Sequence, residues 1–126
     1  MFGCNATVTM WRKRFNKTTG KDEWTRKILP VKCKWRNRES RTVTESGEIV
    51  KQYVTVVVPC ENGYKFNGKI GDYMALGAYK VDITGEKPHR ADDMKKKLGN
   101  VFIQITGIKD ISLSSAGKRY RVEGVF

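Results

Sequence analysis

Residues 51–59, KQYVTVVVP, form the strongest strand candidate in the chain. The run from Val54 to Val58 is β-branched, which restricts χ1 and suits a pleated surface; Pro59 closes it, because proline cannot donate to a ladder. Upstream, VKCKWRNR (31–38) sets Val31, Cys33 and Trp35 against Lys32, Lys34 and Arg36, with Arg38 extending the polar series. Such alternation buries one face of a strand and turns the other to solvent. Here the wet face carries almost nothing but positive charge, so the question is whether it holds something anionic or is only the solvent side of a strand.

The same period runs through NATVTM (5–10), where Ala6, Val8 and Met10 alternate with polar residues. The loop chemistry of NKTTGKD (16–22) follows, then Trp24, Arg26 and Ile28 resume an extended pattern until Pro30 interrupts it. The first 35 residues therefore predict a hairpin and a further strand. NRESRTVTESGEI (37–49) is polar, with one short Thr-Val-Thr triplet, and reads as a long polar loop over 37–49. Loops of that length in a compact domain are usually functional or disordered. After ENGYKFNGKIGD come YMAL (73–76) and YKVDI (79–83), and the chain closes with VFIQITGI (101–108) and KRYRVEGV (118–125), all short strand candidates.

One stretch reads as helix. PHRADDMKKKLG (88–99) opens with Pro88, places Asp92 and Asp93 early and Lys95, Lys96 and Lys97 late, and ends at Gly99. This order complements the helix dipole and supplies a C-terminal cap, so a short helix over about 89–98 is expected. The whole predicts a mainly β protein: a small antiparallel β-barrel or sandwich of about seven strands with one short helix. A length of 126 residues fits a single domain, 1–126.

Charge is the compositional anomaly. The formal net charge is +12, from 25 basic and 13 acidic residues. Residues 12–41 hold twelve bases against Asp22, Glu23 and Glu39, a net of +9, and the remainder is nearly balanced. A nucleic acid, an acidic protein surface and an anionic lipid each fit such a field. No apolar run approaches the roughly 20 residues of a membrane span, and MFGCNATVTMW lacks the apolar core of a signal peptide, so a cytosolic protein with no membrane partner is expected.

Chemistry-bearing residues are few. Cys4, Cys33 and Cys60 are odd in number with no CxxC pair, which predicts reduced thiols, Cys33 and Cys60 near the core. His89 is the single histidine and sits beside Pro88 and Arg90 in a polar stretch, so neither a zinc site nor a serine–histidine–aspartate arrangement is expected. Asp92 and Asp93 are explained by the helix dipole, and Asp72, after Gly71, by a turn. The expectation is a protein that is not an enzyme, with no cofactor, no metal and no small-molecule substrate. Basic residues Arg12, Lys13, Arg14, Lys32, Lys34, Arg36 and Arg38 interleave with Trp11, Phe15, Trp24 and Trp35, a pattern that suits single-strand binding if the rings are exposed. Trp35 shares parity with Val31 and Cys33, which instead favours an inward ring and leaves a charge patch that meets phosphates without reading sequence.

Several short motifs in order carry a resemblance: Trp11 and Trp24 in an amino-terminal hairpin, Val56–Pro59, Gly71–Asp72, Asn100–Thr106 and Tyr120–Gly124. With IGDYMALGAYKVDITGE and LGNVFIQITGIKDISLSSAGKRYRVEGVF, the chain resembles, over nearly its whole length, a family of small bacteriophage proteins encoded among the head–tail joining genes. The segment between Pro59 and Gly71 is shorter, and the charge higher, than that family's pattern. The resemblance implies a β-barrel neck protein of the head-closure (stopper) or connector type, with stopper, adaptor and tail-terminator-like places all open. It would be synthesised in the host cytoplasm, form a homo-oligomeric ring in the virion between portal or adaptor and tail-side ring proteins, and help retain packaged double-stranded DNA. On that reading Lys32, Lys34, Arg36, Arg38 and Arg41 face the DNA channel or an acidic neighbour, and Arg38, Glu39, Thr42, Thr44 and Glu48 contact adjoining rings. Two other readings stand beside it: a sequence-independent nucleic-acid-binding β-barrel, and a small phage effector that meets a host protein by its basic face.

Overall fold

The mainly β architecture expected from the sequence is present. The computed structural model describes residues 4–61, 63–84, 90–112 and 118–126. Within them lie β1 (Val8–Asn16), β2 (Lys21–Ile28), β3 (Lys34–Thr44), β4 (Gly47–Pro59), β5 (Tyr73–Leu76), α1 (Ala91–Leu98), a 3-10 turn (Gly99–Val101), β6 (Phe102–Asp110) and β7 (Arg119–Val125). The strands form one seven-stranded sheet in the order β2-β1-β5-β6-β7-β4-β3, and every pairing is antiparallel. No helix among the described residues is long and apolar enough to cross a membrane.

The sheet is open rather than closed into a barrel. Among the described residues its two ends approach one another at one isolated bridge, where Ala6 and Cys33 exchange backbone hydrogen bonds of 2.9 and 2.8 Å. Val8, Met10, Leu29, Cys33, Val54, Val56, Val58, Met74, Ile103, Ile105 and Val122 line the inner face and form one core, with Trp35 packed against it. Each of these strands keeps its period-2 pattern because the core demands one apolar face. In β6 a bulge between Ile105 and Gly107 shifts the register by one residue, so Ile105 and Ile108 both reach the core although they are three apart.

The outer face divides in two. Over β1, β5 and the start of β6, Trp11, Ala75, Ile83, Met94 and Phe102 make a second cluster. The chain from Gly77 to Ile83 crosses this face: Thr9 Oγ1 donates to the Gly77 carbonyl at 2.8 Å, and Trp11 Nε1 donates to the Val81 carbonyl at 2.9 Å. Helix α1 buries Met94 against the same cluster and stops at Gly99, whose φ of 64° suits glycine. Asp93 accepts a hydrogen bond from the Arg90 amide at the helix start. The helix expected over 89–98 is thus present as Ala91–Leu98, and His89 and Pro88 lie outside the described residues.

Two expectations need correction. Residues 79–83, read as a strand, instead run without regular structure as the cover over Trp11. Residues 37–49 are not a loop. They belong to β3 and β4, which form a hairpin closed by a two-residue turn, Glu45–Ser46, with Thr44 opposite Gly47. Gly47 has φ 127°, and Thr44 Oγ1 bonds the Gly47 carbonyl at 2.9 Å. Strand β7 pairs β4 only from Val54 to Pro59, so the remainder of the hairpin projects past the body as a two-stranded arm. The sequence hides it because residues 37–52 are exposed on both faces. With neither face buried, no alternation is imposed, and ladder hydrogen bonds with a few polar side-chain contacts hold the strands.

Candidate functional site

Among the described residues no helix lies upon the half of the outer face over β6, β7, β4 and β3. The register fixes what it carries. One transverse row runs Lys34, Val57, Arg121, Lys109 from β3 to β6, and the next runs Arg36, Thr55, Glu123, Gly107. Arg38 stands opposite Tyr53, and Lys51 opposite Ser40 further along the arm. On these four strands Lys34, Arg36, Arg38, Lys51, Lys109 and Arg121 share the face with one carboxylate, Glu123. Arg119 flanks them opposite Pro59, with its Nε on the Ile111 carbonyl at 3.4 Å.

Neutralising partners lie elsewhere. Lys13 pairs with Asp22 at 3.3 Å and Arg26 with Asp82 at 3.3 Å, whereas among the described residues no carboxylate lies within 4.0 Å of the charged ends of those six bases. Arg38 Nε meets Thr55 Oγ1 at 3.4 Å, and Arg121 Nε is shielded from solvent without a hydrogen-bond partner. A shielded guanidinium nitrogen with no acceptor leaves hydrogen-bonding capacity unused.

The residues singled out in the sequence do not all gather here. Lys34, Arg36 and Arg38 do. Lys32 precedes β3 and donates to Thr7 Oγ1 at 2.6 Å. Arg41 has the opposite parity and sits on the other side of the arm, held by Glu39 at 3.3 Å and Glu48 at 3.2 Å. Thr42 and Thr44 share the parity of Arg38, and Glu39 and Glu48 that of Arg41. Sequence reasoning missed Lys51, Lys109 and Arg121. Their alternation within KQYVTVVVP and KRYRVEGV is readable, but which strands adjoin is not.

The arm has its own chemistry. Val43 is 83% exposed, Ile49 56% and Val50 46%. Ile49 lies on the side of Thr42, whereas Val43 and Val50 lie with Arg41, so both faces near the tip carry bare apolar side chains.

Two groups have strongly shifted acidities. Burial, with a smaller contribution from Cys4, pushes the Cys33 thiol up from 9.0 to about 12. Burial, reinforced by Cys33 and Cys60, likewise pushes the Tyr64 phenol from 10.0 to about 12. Both stay protonated near neutral pH, so neither offers an activated nucleophile or base. Tyr64, Phe66 and Tyr120 line a surface hollow of about 390 Å³ with Cys60, Lys65 and Lys118, but Tyr64 and Phe66 also pack on the core, and Lys27 and Lys118 sit over the Tyr64 and Tyr120 rings at 5.6 and 5.8 Å. Among the described residues no three of His, Cys, Asp and Glu come together as metal ligands. Asp72 is buried and structural: it accepts from the amides of Lys13 and Lys69, each at 2.9 Å, tying β1 to the turn before β5.

Over residues 3–125 the sequence matches a family of unknown function, DUF6751. The chain belongs to that family. No curated protein and no solved structure matches it. In this DUF6751 member, then, an open seven-stranded sheet presents two features that no helix among the described residues covers, the projecting arm and the basic half of the outer face.

Proposed function

We propose that this DUF6751 protein is a structural, non-enzymatic ring component of the bacteriophage head–tail junction, of the head-closure or connector type, made in the host cytoplasm and carried in the virion. The observation that carries this reading is the arm. An isolated two-stranded ribbon is marginally stable in water. Here one extends from the body with residues 37–52 exposed and with Val43, Ile49 and Val50 bare on its two faces. A neighbour that covered both faces would bury those side chains and lock the ribbon. An arm seated on a different surface of its neighbour makes a heterologous contact, and a heterologous contact whose rotation closes generates a ring. The resemblance of the ordered motifs to head–tail joining proteins supplies the setting, with portal or adaptor and tail-side rings as neighbours and packaged DNA in the channel.

The test shortens the arm. Residues 40–51 are replaced by an Asn-Gly turn, and the variant is used to complement a phage lacking the gene. The expected result is a folded monomer whose far-ultraviolet circular dichroism keeps a β signature reduced only by the strand residues removed, and a block in joining that leaves heads and tails separate. Full infectivity with the shortened arm would overturn the assignment.

A further inference from the structure

We infer that the bare half of the outer face, Lys34, Arg36, Arg38, Lys51, Lys109 and Arg121, is a binding surface for the phosphate backbone of double-stranded DNA, read without regard to sequence. This deepens the head–tail reading by naming the surface that meets the packaged polymer, yet it is tested on the purified chain and short duplexes, so either can fail alone.

Four observations carry the inference. The six bases come from four strands that are remote in sequence, and the ladder alone brings them onto one face. Neighbouring strands are about 4.8 Å apart and alternate residues along a strand about 6.7 Å apart, so Lys34, Arg36, Lys109 and Arg121 form a fixed lattice on the body of the sheet, which Arg38 and Lys51 continue along the arm. These bases lack carboxylate partners among the described residues, whereas Arg41 on the other side of the arm is paired with two glutamates. Among the described residues α1 and residues 77–83 cover only the other half, where the aromatic rings lie.

That last point selects the ligand. Binding a single strand relies on exposed rings for the bases to stack on. Trp11 is buried under Val81, Tyr73 is stacked on Phe102 with centroids 5.0 Å apart, Trp35 packs inward, and Phe15, though exposed, lies on β1 at the far side of the sheet, which leaves Tyr53 as the one aromatic residue on the outer side of β3, β4 and β7. A surface that supplies fixed positive charge and little stacking fits a stiff duplex, which carries one negative charge per roughly 1.7 Å of its axis.

The experiment measures association of the full chain with a fluorescent 30-base-pair duplex by anisotropy between 50 and 300 mM salt. With four to six phosphates engaged, the logarithm of the association constant should fall against the logarithm of salt with a slope of about −4 to −5. The variant K34Q/R36Q/K109Q should lose at least tenfold in affinity at 100 mM salt and flatten the slope by about three. A control, K95Q/K96Q/K97Q, removes the same charge from α1, where all three lysines are exposed, and should stay within twofold of the parent. Equal losses in the two variants would reduce the effect to net charge and overturn the inference. So would tighter binding of a 30-nucleotide single strand, absence of duplex binding at 50 mM salt, or displacement of the duplex by poly-glutamate at equal charge, the last of which would assign the face to an acidic protein.

Discussion

Ala6 and Cys33 face each other across two short backbone hydrogen bonds, 2.9 and 2.8 Å, and that pair draws the ends of the open sheet together. Strand β2 runs beside β1 as far as Ile28, and Leu29 still donates to the Val8 carbonyl. Pro30 then ends the ladder, because it has no amide hydrogen, and the chain re-engages Ala6 through Cys33 before crossing to β4 as β3. The bend lets β1 to β7 wrap one core while leaving the arm and the basic face outside it.

The first prediction concerns Cys33 itself. Its side chain is inaccessible and its thiol is raised to about 12, so it should resist a thiol reagent at pH 8 while Cys4 and Cys60, each partly exposed, react. Two fast equivalents and one released only by denaturant are expected; three fast equivalents would contradict the core placement.

Alkali should unfold the protein by the same route. An unfolded cysteine ionises near 9.0 and Cys33 in the fold near 12, so the stability held below pH 9 falls as pH rises between those values. Tyr64 acts in the same direction from 10.0 to about 12. Denaturant midpoints measured from pH 7 to 11 should therefore be flat to about pH 9 and decline beyond it.

Trp11 joins the sheet to its cover. It is fully buried, meets Phe102 edge-on at a centroid distance of 5.6 Å and donates to Val81. Trp11→Ala should cost about 3–5 kcal/mol, and hydrogen exchange should quicken in α1 before it does in β4 or β7.

Asp72 should matter through hydrogen bonds rather than chemistry. Asp72→Ala strands the amides of Lys13 and Lys69 and should cost about 2–3 kcal/mol in urea unfolding. By contrast, the Arg41 pairs on the exposed arm are worth at most about 1 kcal/mol, so Arg41→Ala should leave the urea midpoint almost unmoved.

What was legible in the sequence follows from burial. Strands β1, β4, β6 and β7 each press one face on the core, and their alternation or β-branched runs announce them. Helix α1 announces its end through Gly99. The outer part of β3 gave no such signal, since Glu39, Arg41 and Val43 on one side and Ser40 and Thr42 on the other are all in water. The site shows the same division. Lys34, Arg36 and Arg38 share a face by parity along one strand, but their neighbours Lys109 and Arg121 depend on a strand order and on the β6 bulge, neither of which local pattern encodes.

The most direct test of the head–tail assignment is quantitative mass spectrometry of purified phage particles that encode this chain, counting it against the portal protein. A ring at the head–tail junction requires a fixed small copy number comparable to the portal's. Absence of the chain from completed particles would contradict it.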